Sequence, residues 1–565
     1  MIRKLRAIAF PRRTKPRHCL WYNQRMDKEQ RRVFRYLLAI SAAVFLIFLI
    51  PDGSGAADPG MLAVFEVDEY AQYPHLVKML TPGATLYQSL RNFTVYEHYF
   101  YGYPFYFFSA VAVLPLKLAL GASWQEHTRT LVTALRLLVN VLPMVGTLLL
   151  LVWIQTRFRT LWKAAGLFIL LLCVPGVVVN NLWWHPDSLA FFFVILTLYF
   201  LDRDDLRFGR NFFLAAAACG LAAGTKYLGL FYVLAVPLYL IWGMVEKRIR
   251  PGRAALLGLG FVAVMAAAIV ISNPLLLLPQ ERAEIIAVQK LQMVQTGKGI
   301  FLANPSGLLE SGYPEDIRVH YGELYFLVLG FASLCAGLAR PEHRRLNALI
   351  LAWMIPFTAV ILASGTRRTH YFLPVLIPLF STINNLFPDT LDLSRRNSTG
   401  LKRALAAALG LAVVTQAALF VRTDMQIVKT QLAREENSAS LKFTEAVRDN
   451  VLSKLPETPS VIYRDWRVYF PASAGQQVEM NWELASYPYI EALKPDLILL
   501  EHENTALYSQ PFVVEQAVDS GDMAATHAFY GDAANGRIRG YAWVYTDNFG
   551  SVFVAQDLAK YFTKH

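Results

Sequence analysis

Residues 31–53 read RRVFRYLLAISAAVFLIFLIPDG: a basic patch, then fifteen residues from Tyr36 to Ile50 without a charge. An apolar run of this kind is nearly long enough to cross a bilayer core. Lys and Arg just before such a run belong on the cytoplasmic side. The basic patch reaches back to the start of the chain. Residues 1–35 hold twelve Lys/Arg against Asp27 and Glu29, which is ten of the twelve net positive charges. The positive charge thus sits beside a membrane anchor, where it suits anionic headgroups and argues against nucleic acid as the partner. No small-residue cleavage site of the usual form follows Ile50, so the run reads as a retained anchor rather than a signal peptide.

The pattern recurs along the chain. Hydrophobic residues make up 55% of the 565 and charged residues 17%, whereas soluble proteins carry about 25% charge. Apolar runs fall at roughly 36–51, 131–154, 161–180, 187–201, 211–224, 227–245, 254–272, 324–339, 346–364, 371–387 and 404–421, which predicts about eleven transmembrane helices. The basic connectors, Arg157/Arg159, Asp202–Arg210, Glu246–Arg253, Arg340–Arg345 and Arg395–Arg403, are expected in the cytoplasm. Residues 52–103 carry six acids against Lys78 and Arg91 and are expected outside. Pro104–Leu120 is apolar enough to cross, but a crossing there would invert every later basic loop. It therefore reads as a helix in the outer interface, or re-entering from it.

After residue 421 the composition changes. Ser460–Tyr463, Asp496–Leu500, Tyr541–Tyr545 and Ser551–Val554 are strand-like, with turns at Asn535-Gly536 and Asn548-Phe549-Gly550. The expected organisation is a basic cytoplasmic tail (1–35), a transmembrane domain (36–421) whose first outer loop (52–130) carries interfacial helices, and an extracytoplasmic soluble α/β domain (422–565). Cys19, Cys173, Cys219 and Cys335 have no paired spacing, so no disulfide framework or zinc ribbon follows.

Chemistry concentrates in the connectors expected outside. Phe65-Glu66-Val67-Asp68-Glu69-Tyr70 places three acids within four residues, just after the first helix. Acids so close to a membrane are costly unless solvated or used; a solvated turn is the plain alternative. The same surface receives Glu97-His98, Trp183-Trp184-His185-Pro186-Asp187, Lys226-Tyr227 and Arg367-Arg368-Thr369-His370-Tyr371. Asp187 heads an apolar helix, where an acid either caps the positive helix end or faces Asp68 across a cavity. Trp183 and Trp184 read as belt residues or as a stacking platform for sugar or prenyl chain. Arg367 and Arg368 break the positive-inside pattern. With His370 and Tyr371 they suit a clamp on phosphate, unless they snorkel from a helix end. Lys226 supplies a point charge from a tight turn. The connector 273–323, with Gln289, Lys290, Lys298, His320 and Tyr321, is long enough to form a lid.

At these residues the chain resembles the GT-C superfamily of membrane glycosyltransferases, closest to the group of protein O-mannosyltransferases and lipid A aminoarabinose transferases. The resemblance rests on Asp68-Glu69 after the first helix, the interfacial segment beyond it, the Gly224-Thr225-Lys226-Tyr227 turn and Arg368-Thr369-His370-Tyr371-Phe372-Leu373-Pro374. Similarity of plan covers nearly the whole chain. Two departures stand out: only Tyr103-Pro104 occupies the place where a doubled proline often marks the interfacial segment, and the tail from residue 422 has no assigned counterpart.

The resemblance implies a polytopic α-helical GT-C-like enzyme of the bacterial inner membrane. It would be an inverting transferase taking a monosaccharide from a polyprenyl phosphate on the outer face. Asp68 is then the catalytic base, with Glu69 and Asp187 as positioning groups. Lys226, Arg367, Arg368, His370 and Tyr371 are the expected phosphate contacts. Tyr70, Glu97, His98, Trp184 and His185 are the expected sugar or acceptor contacts. The partners are the lipid-linked sugar, membrane lipids and a glycan, lipid or protein acceptor. No cofactor is assigned, although some relatives hold a divalent metal near the acids. Two rival readings are a transporter and a polysaccharide polymerase or ligase using diphosphate-linked glycans. Transporters commonly show matching halves and mid-membrane charges; here no halves match and the charges cluster at the outer face.

Overall fold

The computed structural model describes residues 26–298, 313–363, 368–387 and 400–562, apart from residues 458, 474, 482–483 and 518–519. Arg367 and most of the basic tail lie outside the described residues. The first helix, α1 (Lys28–Phe48), starts where the sequence supplies a reciprocal cap. The Asp27 carboxylate accepts the Gln30 N–H at 2.8 Å, and Gln30 Oε1 accepts the Asp27 N–H at 3.0 Å.

Six helices among the described residues are long and apolar enough to cross a membrane, or eight if each of two bent pairs is one span. Leu161–Leu172 and Pro175–Asn181 form one such pair, bent by 63°; Tyr313–Tyr321 and Leu324–Ala339 form the other, bent by 74°. All eleven apolar runs of the sequence are helical, but several are short or broken. Asp187–Asp204 ends in charged residues, Arg210–Thr225 has 16 residues, and 371–387 divides into Thr369–Phe372, Leu373–Ser381 and Thr382–Leu386.

The first loop, residues 52–130, is itself helical, with α2 (Val67–Leu80) following the acidic turn. Tyr103–Leu120, called α3, is among the six by length and hydropathy. It packs on both the loop and the helix bundle: Phe105, Tyr106, Ala110 and Val113 share a core with Tyr73, Leu76 and Leu80 of α2 and with Leu131, Leu135 and Val139, and Lys117 Nζ donates to the Leu80 carbonyl. Gly102, just before α3, is required by contact. A Cβ there would lie 1.6 Å from the Gly224 carbonyl oxygen. The Gly102 N–H donates to the Thr225 carbonyl at 3.0 Å, so the first loop is seated on the Gly224-Thr225-Lys226 turn.

The next span, α4 (Thr128–Thr156), is α-helical at both ends and π-helical over Arg136–Val141. Pro143 explains the change: it offers no N–H to the Val139 carbonyl, and its ring crowds that carbonyl, so the helix widens just before it. The π-turn carries two polar side chains, Arg136 and Asn140, both fully buried. After it come α5 (Asp187–Asp204) and α6 (Arg210–Thr225).

The last long helix, α7 (Gly400–Asn437), has 38 residues and is about 57 Å long, against an apolar bilayer core of about 30 Å. Its far end reaches the first loop. Arg434 pairs with Glu66 at 2.8 Å and Glu435 with Arg129 at 3.1 Å, and the Gly55 N–H donates to Glu435 at 2.6 Å.

Beyond α7 lies a five-stranded sheet: β1 (Val461–Arg464), β2 (Gln477–Glu479), β3 (Leu497–Glu501), β4 (Tyr541–Thr546) and β5 (Gly550–Ala555). The order is β2-β1-β3-β5-β4, parallel between β1 and its two neighbours and antiparallel from β3 onward. The four strand-like runs of the sequence are four of these strands. β2 was not foreseen, being three residues long and partly exposed. The segment between β1 and β2 reaches the first loop, where the Tyr469 hydroxyl donates to Asp58 at 2.7 Å.

Candidate active site

Two neighbouring acids at the start of α2 have opposite surroundings. The Asp68 side chain is 36% exposed, while that of Glu69 is fully buried. Arg136, presented by the π-turn, grips Glu69 in a fork: Nε to Oε1 at 2.7 Å and Nη2 to Oε2 at 2.6 Å. Its remaining nitrogen donates to the Asp52 and Ser54 carbonyls at 2.7 and 3.0 Å. Glu69 Oε1 also accepts the Trp184 N–H at 2.5 Å, and Asn140 Oδ1 accepts the His185 N–H at 3.2 Å. The π-turn thus holds the acidic turn on one side and the 184–185 backbone on the other. Glu69 is sealed inside this joint and does not face the open side.

The second cluster is built on α5. Asp187 is the first residue of that helix, and its side chain makes no cap there. Its carboxylate instead binds Lys226 Nζ at 2.6 Å through Oδ1 and contacts His185 Nδ1 through Oδ2. His370 Nε2 lies 3.7 Å from the same Oδ2. The other nitrogen of His185, Nε2, is 2.7 Å from the Tyr101 hydroxyl and 3.9 Å from Asp68 Oδ2. The His185 ring stacks on Trp183 at 4.1 Å, with the planes 3° apart. Burial holds His185 and His370 below the ordinary histidine range, with Asp187 opposing the shift in both. Burial also raises the Tyr101 hydroxyl well above its usual value, so it stays a neutral donor.

Lys226 lies over the Tyr371 ring, 4.8 Å from its centre. Both line a narrow, mostly apolar slot of about 30 Å³, with Asp187, Phe191, Val194 and Phe357 also in its lining.

The structure therefore brings together Asp68, His185, Asp187, Lys226, His370 and Tyr371. Arg368 is exposed, and its charge is felt by His370 and Tyr371. Other expected residues stand apart. Glu97 pairs with Lys78 at the surface. His98 is held by the Tyr106 hydroxyl at 2.6 Å, and burial pushes it down to about 3. Trp184 is fully buried, its Nε1–H on Ser109 at 2.9 Å and its ring stacked on Phe105, which makes it a core residue. Tyr70 packs at the margin of the first-loop core. Of Gln289, Lys290, His320 and Tyr321 in the 273–323 connector, Gln289 donates to the Tyr99 carbonyl at 2.9 Å and Tyr321 to the Thr369 carbonyl at 2.7 Å, so Tyr321 props the His370 turn.

Sequence reasoning missed Tyr101 and Arg136. An arginine inside an apolar run is a signal in itself, since such a charge needs a partner. Nothing distinguishes Tyr101 from the tyrosines around it.

His185, Asp187 and His370 could supply three donors to a metal ion, but their arrangement does not suit one. His185 Nδ1 and the Asp187 carboxylate are already spent on each other. Lys226 already neutralises the carboxylate, and Tyr101 occupies the other imidazole nitrogen.

No family model and no curated protein matches the chain. Among solved structures it shares the fold of the GT-C membrane glycosyltransferases, the class its motifs resemble. The particular likeness is to ArnT from Cupriavidus metallidurans bound to undecaprenyl phosphate: TM-score 0.53 and 13% identity, covering 94% of this chain and 99% of that one. The archaeal oligosaccharyltransferase AglB from Archaeoglobus fulgidus, in complex with an inhibitory peptide and a dolichol-phosphate, gives a TM-score of 0.48 at 13% identity, covering 93% of this chain and 74% of that one.

Proposed function

We propose that the chain is an inverting glycosyltransferase that moves a monosaccharide from a polyprenyl phosphate to a hydroxyl of a lipid, glycan or protein acceptor. The observation that carries this reading is one partly open carboxylate, Asp68, beside a cationic and aromatic centre at the mouth of an apolar slot. A solved structure with the same fold holds undecaprenyl phosphate, a ligand of the chemistry this centre suits.

The acceptor hydroxyl gives its proton to Asp68 as its oxygen bonds to the anomeric carbon. The bond from that carbon to the phosphate oxygen breaks, and its electron pair stays on the phosphate. Phosphate is a good leaving group, so no general acid is needed. The growing negative charge meets Lys226, steadied by Asp187 and Tyr371, with Arg368 and His370 nearby. The apolar lining of the slot suits the first part of the prenyl chain, for which the slot must widen. In this reading the N-terminus is cytoplasmic, residues 52–130 and 422–565 lie outside, and the membrane is a bacterial inner membrane.

The direct test offers purified protein a panel of polyprenyl-phosphate monosaccharides and, separately, diphosphate-linked oligosaccharides, with acceptor fractions read by mass. Transfer from a monosaccharide phosphate with inverted anomeric configuration is the expected result. Transfer only from diphosphate-linked glycans, or from neither, overturns the proposal.

A further inference from the structure

Once Asp68 has taken a proton it must lose it before the next turnover. A buried base stands close by. His185 Nε2 lies 3.9 Å from Asp68 Oδ2, and its Nδ1 contacts the Asp187 carboxylate. That contact fixes the imidazole geometry. A carboxylate only accepts, so Nδ1 carries the hydrogen and Nε2 is left as the basic nitrogen. The Tyr101 hydroxyl, 2.7 Å away, donates to Nε2 at rest, which marks it as the acceptor, and turns aside when the proton passes from Asp68. The ring is also held flat on Trp183 and by the Asn140 contact to its own N–H. Lys226 pairs with the far oxygen of Asp187, which keeps that carboxylate ionised and able to stabilise an imidazolium.

We propose that His185 is a proton relay: it takes from Asp68 the proton released by the acceptor hydroxyl, while Asp187 stabilises the resulting imidazolium. This inference rests on the glycosyl-transfer reading. In it the acceptor O–H bond breaks and Asp68 gains the hydrogen. That hydrogen then passes to His185 Nε2, returning Asp68 to carboxylate, and the imidazolium loses one proton to water. No oxidant or further reactant takes part. The charged and titratable groups facing His185 are Asp68 from α2, Asp187 from α5, Lys226 from the turn after α6, His370 from the Thr369–Phe372 turn and Tyr101 from the segment before α3.

The relay needs His185 neutral at rest, so activity falls as pH drops and the imidazole protonates. His185→Gln keeps a polar side chain and removes the base. Steady-state transfer should drop by about 10²-fold or more, and the acid limb of the pH profile due to histidine should vanish, while affinity for undecaprenyl phosphate persists. A His185→Gln enzyme with the wild-type pH profile overturns the relay, whatever its rate. Should that variant not fold, Tyr101→Phe serves. Losing the hydroxyl that favours neutral imidazole should move the acid limb to higher pH, and an unmoved limb overturns the proposal. A wild-type enzyme that requires an added divalent cation also overturns it, because His185 and Asp187 are then ligands. If the wild type transfers no sugar, the function itself fails and the relay with it.

Discussion

The molecule holds two ion-paired centres on either side of the same acidic turn, and they differ in how completely the charge is matched. At Glu69 and Arg136 both side chains have zero exposure, and every contact of the carboxylate is with protein. At Asp187 and Lys226 the side chains are 12% and 7% exposed, and a second carboxylate, Asp68, stands open nearby. A matched, sealed pair fixes geometry and has nothing left for a substrate. A partly open centre with an unmatched acid keeps binding capacity. Two residues adjacent in sequence, Asp68 and Glu69, therefore differ in what they leave available: Glu69 is spent on architecture and Asp68 is open to a ligand.

The sharpest way to break this contrast is to neutralise each acid in turn. Asp68→Asn should lower single-turnover transfer by about 10²–10⁴-fold and leave the melting temperature in detergent unchanged. Arg136→Leu should do the reverse at the level of the fold. It strands the Glu69 charge in the interior, where breaking a buried pair costs about 3–5 kcal/mol, and the variant should melt well below the wild type. A stable Arg136→Leu enzyme with weak transfer, or an unstable Asp68→Asn, would mean that the two roles are not divided as argued.

Arg368 tests the open centre from its edge. Because this arginine is exposed, its pull on the lipid phosphate is screened by water, and such contacts contribute about 0.2–1 kcal/mol. Arg368→Ala should weaken donor binding by fivefold or so, read by titration with undecaprenyl phosphate, with kcat nearly kept. A loss a hundredfold or larger would show that Arg368 turns inward when donor binds.

Much of this arrangement was legible in the sequence. The membrane class, the placing of helices and four of the five strands followed from apolar runs and alternation, which report burial directly. Asp68, Asp187, Lys226 and His370 were legible because charges beside apolar helices demand an explanation. The separation of Asp68 from Glu69 was not, since both sit in the first turn of α2 and only the three-dimensional position of Arg136 decides which is buried. The same holds for Trp183 and Trp184, of which one stacks on His185 and the other fills the core. The six-to-eight count of long helices also differs from the eleven apolar runs. Short and kinked helices share the composition of spans, and composition does not measure length along a normal.

The C-terminal sheet sharpens the comparison by showing acids buried without adequate partners. Asp465 and Glu501 lie at adjoining strand ends, where Asp465 accepts the Glu501 N–H at 2.9 Å and the Tyr530 hydroxyl at 2.5 Å. The nearest cation to Glu501 is Arg467, 3.6 Å away with a side chain 42% exposed, which is far weaker than the fork on Glu69. Burial accordingly pushes Asp465 up to about 6 and Glu501 up to about 7. In the unfolded chain both ionise near pH 4. Below that pH both states are protonated and the contribution to stability is complete. As pH rises from about 4 to 7 the unfolded chain gives up protons that the folded sheet retains, so stability falls through that window. Amide exchange along β1 and β3, corrected for intrinsic rates, should therefore show less protection at pH 8 than at pH 5, and Glu501→Gln should flatten the difference. Protection in the sheet that holds steady or grows toward pH 8 would mean these acids find partners as good as Arg136.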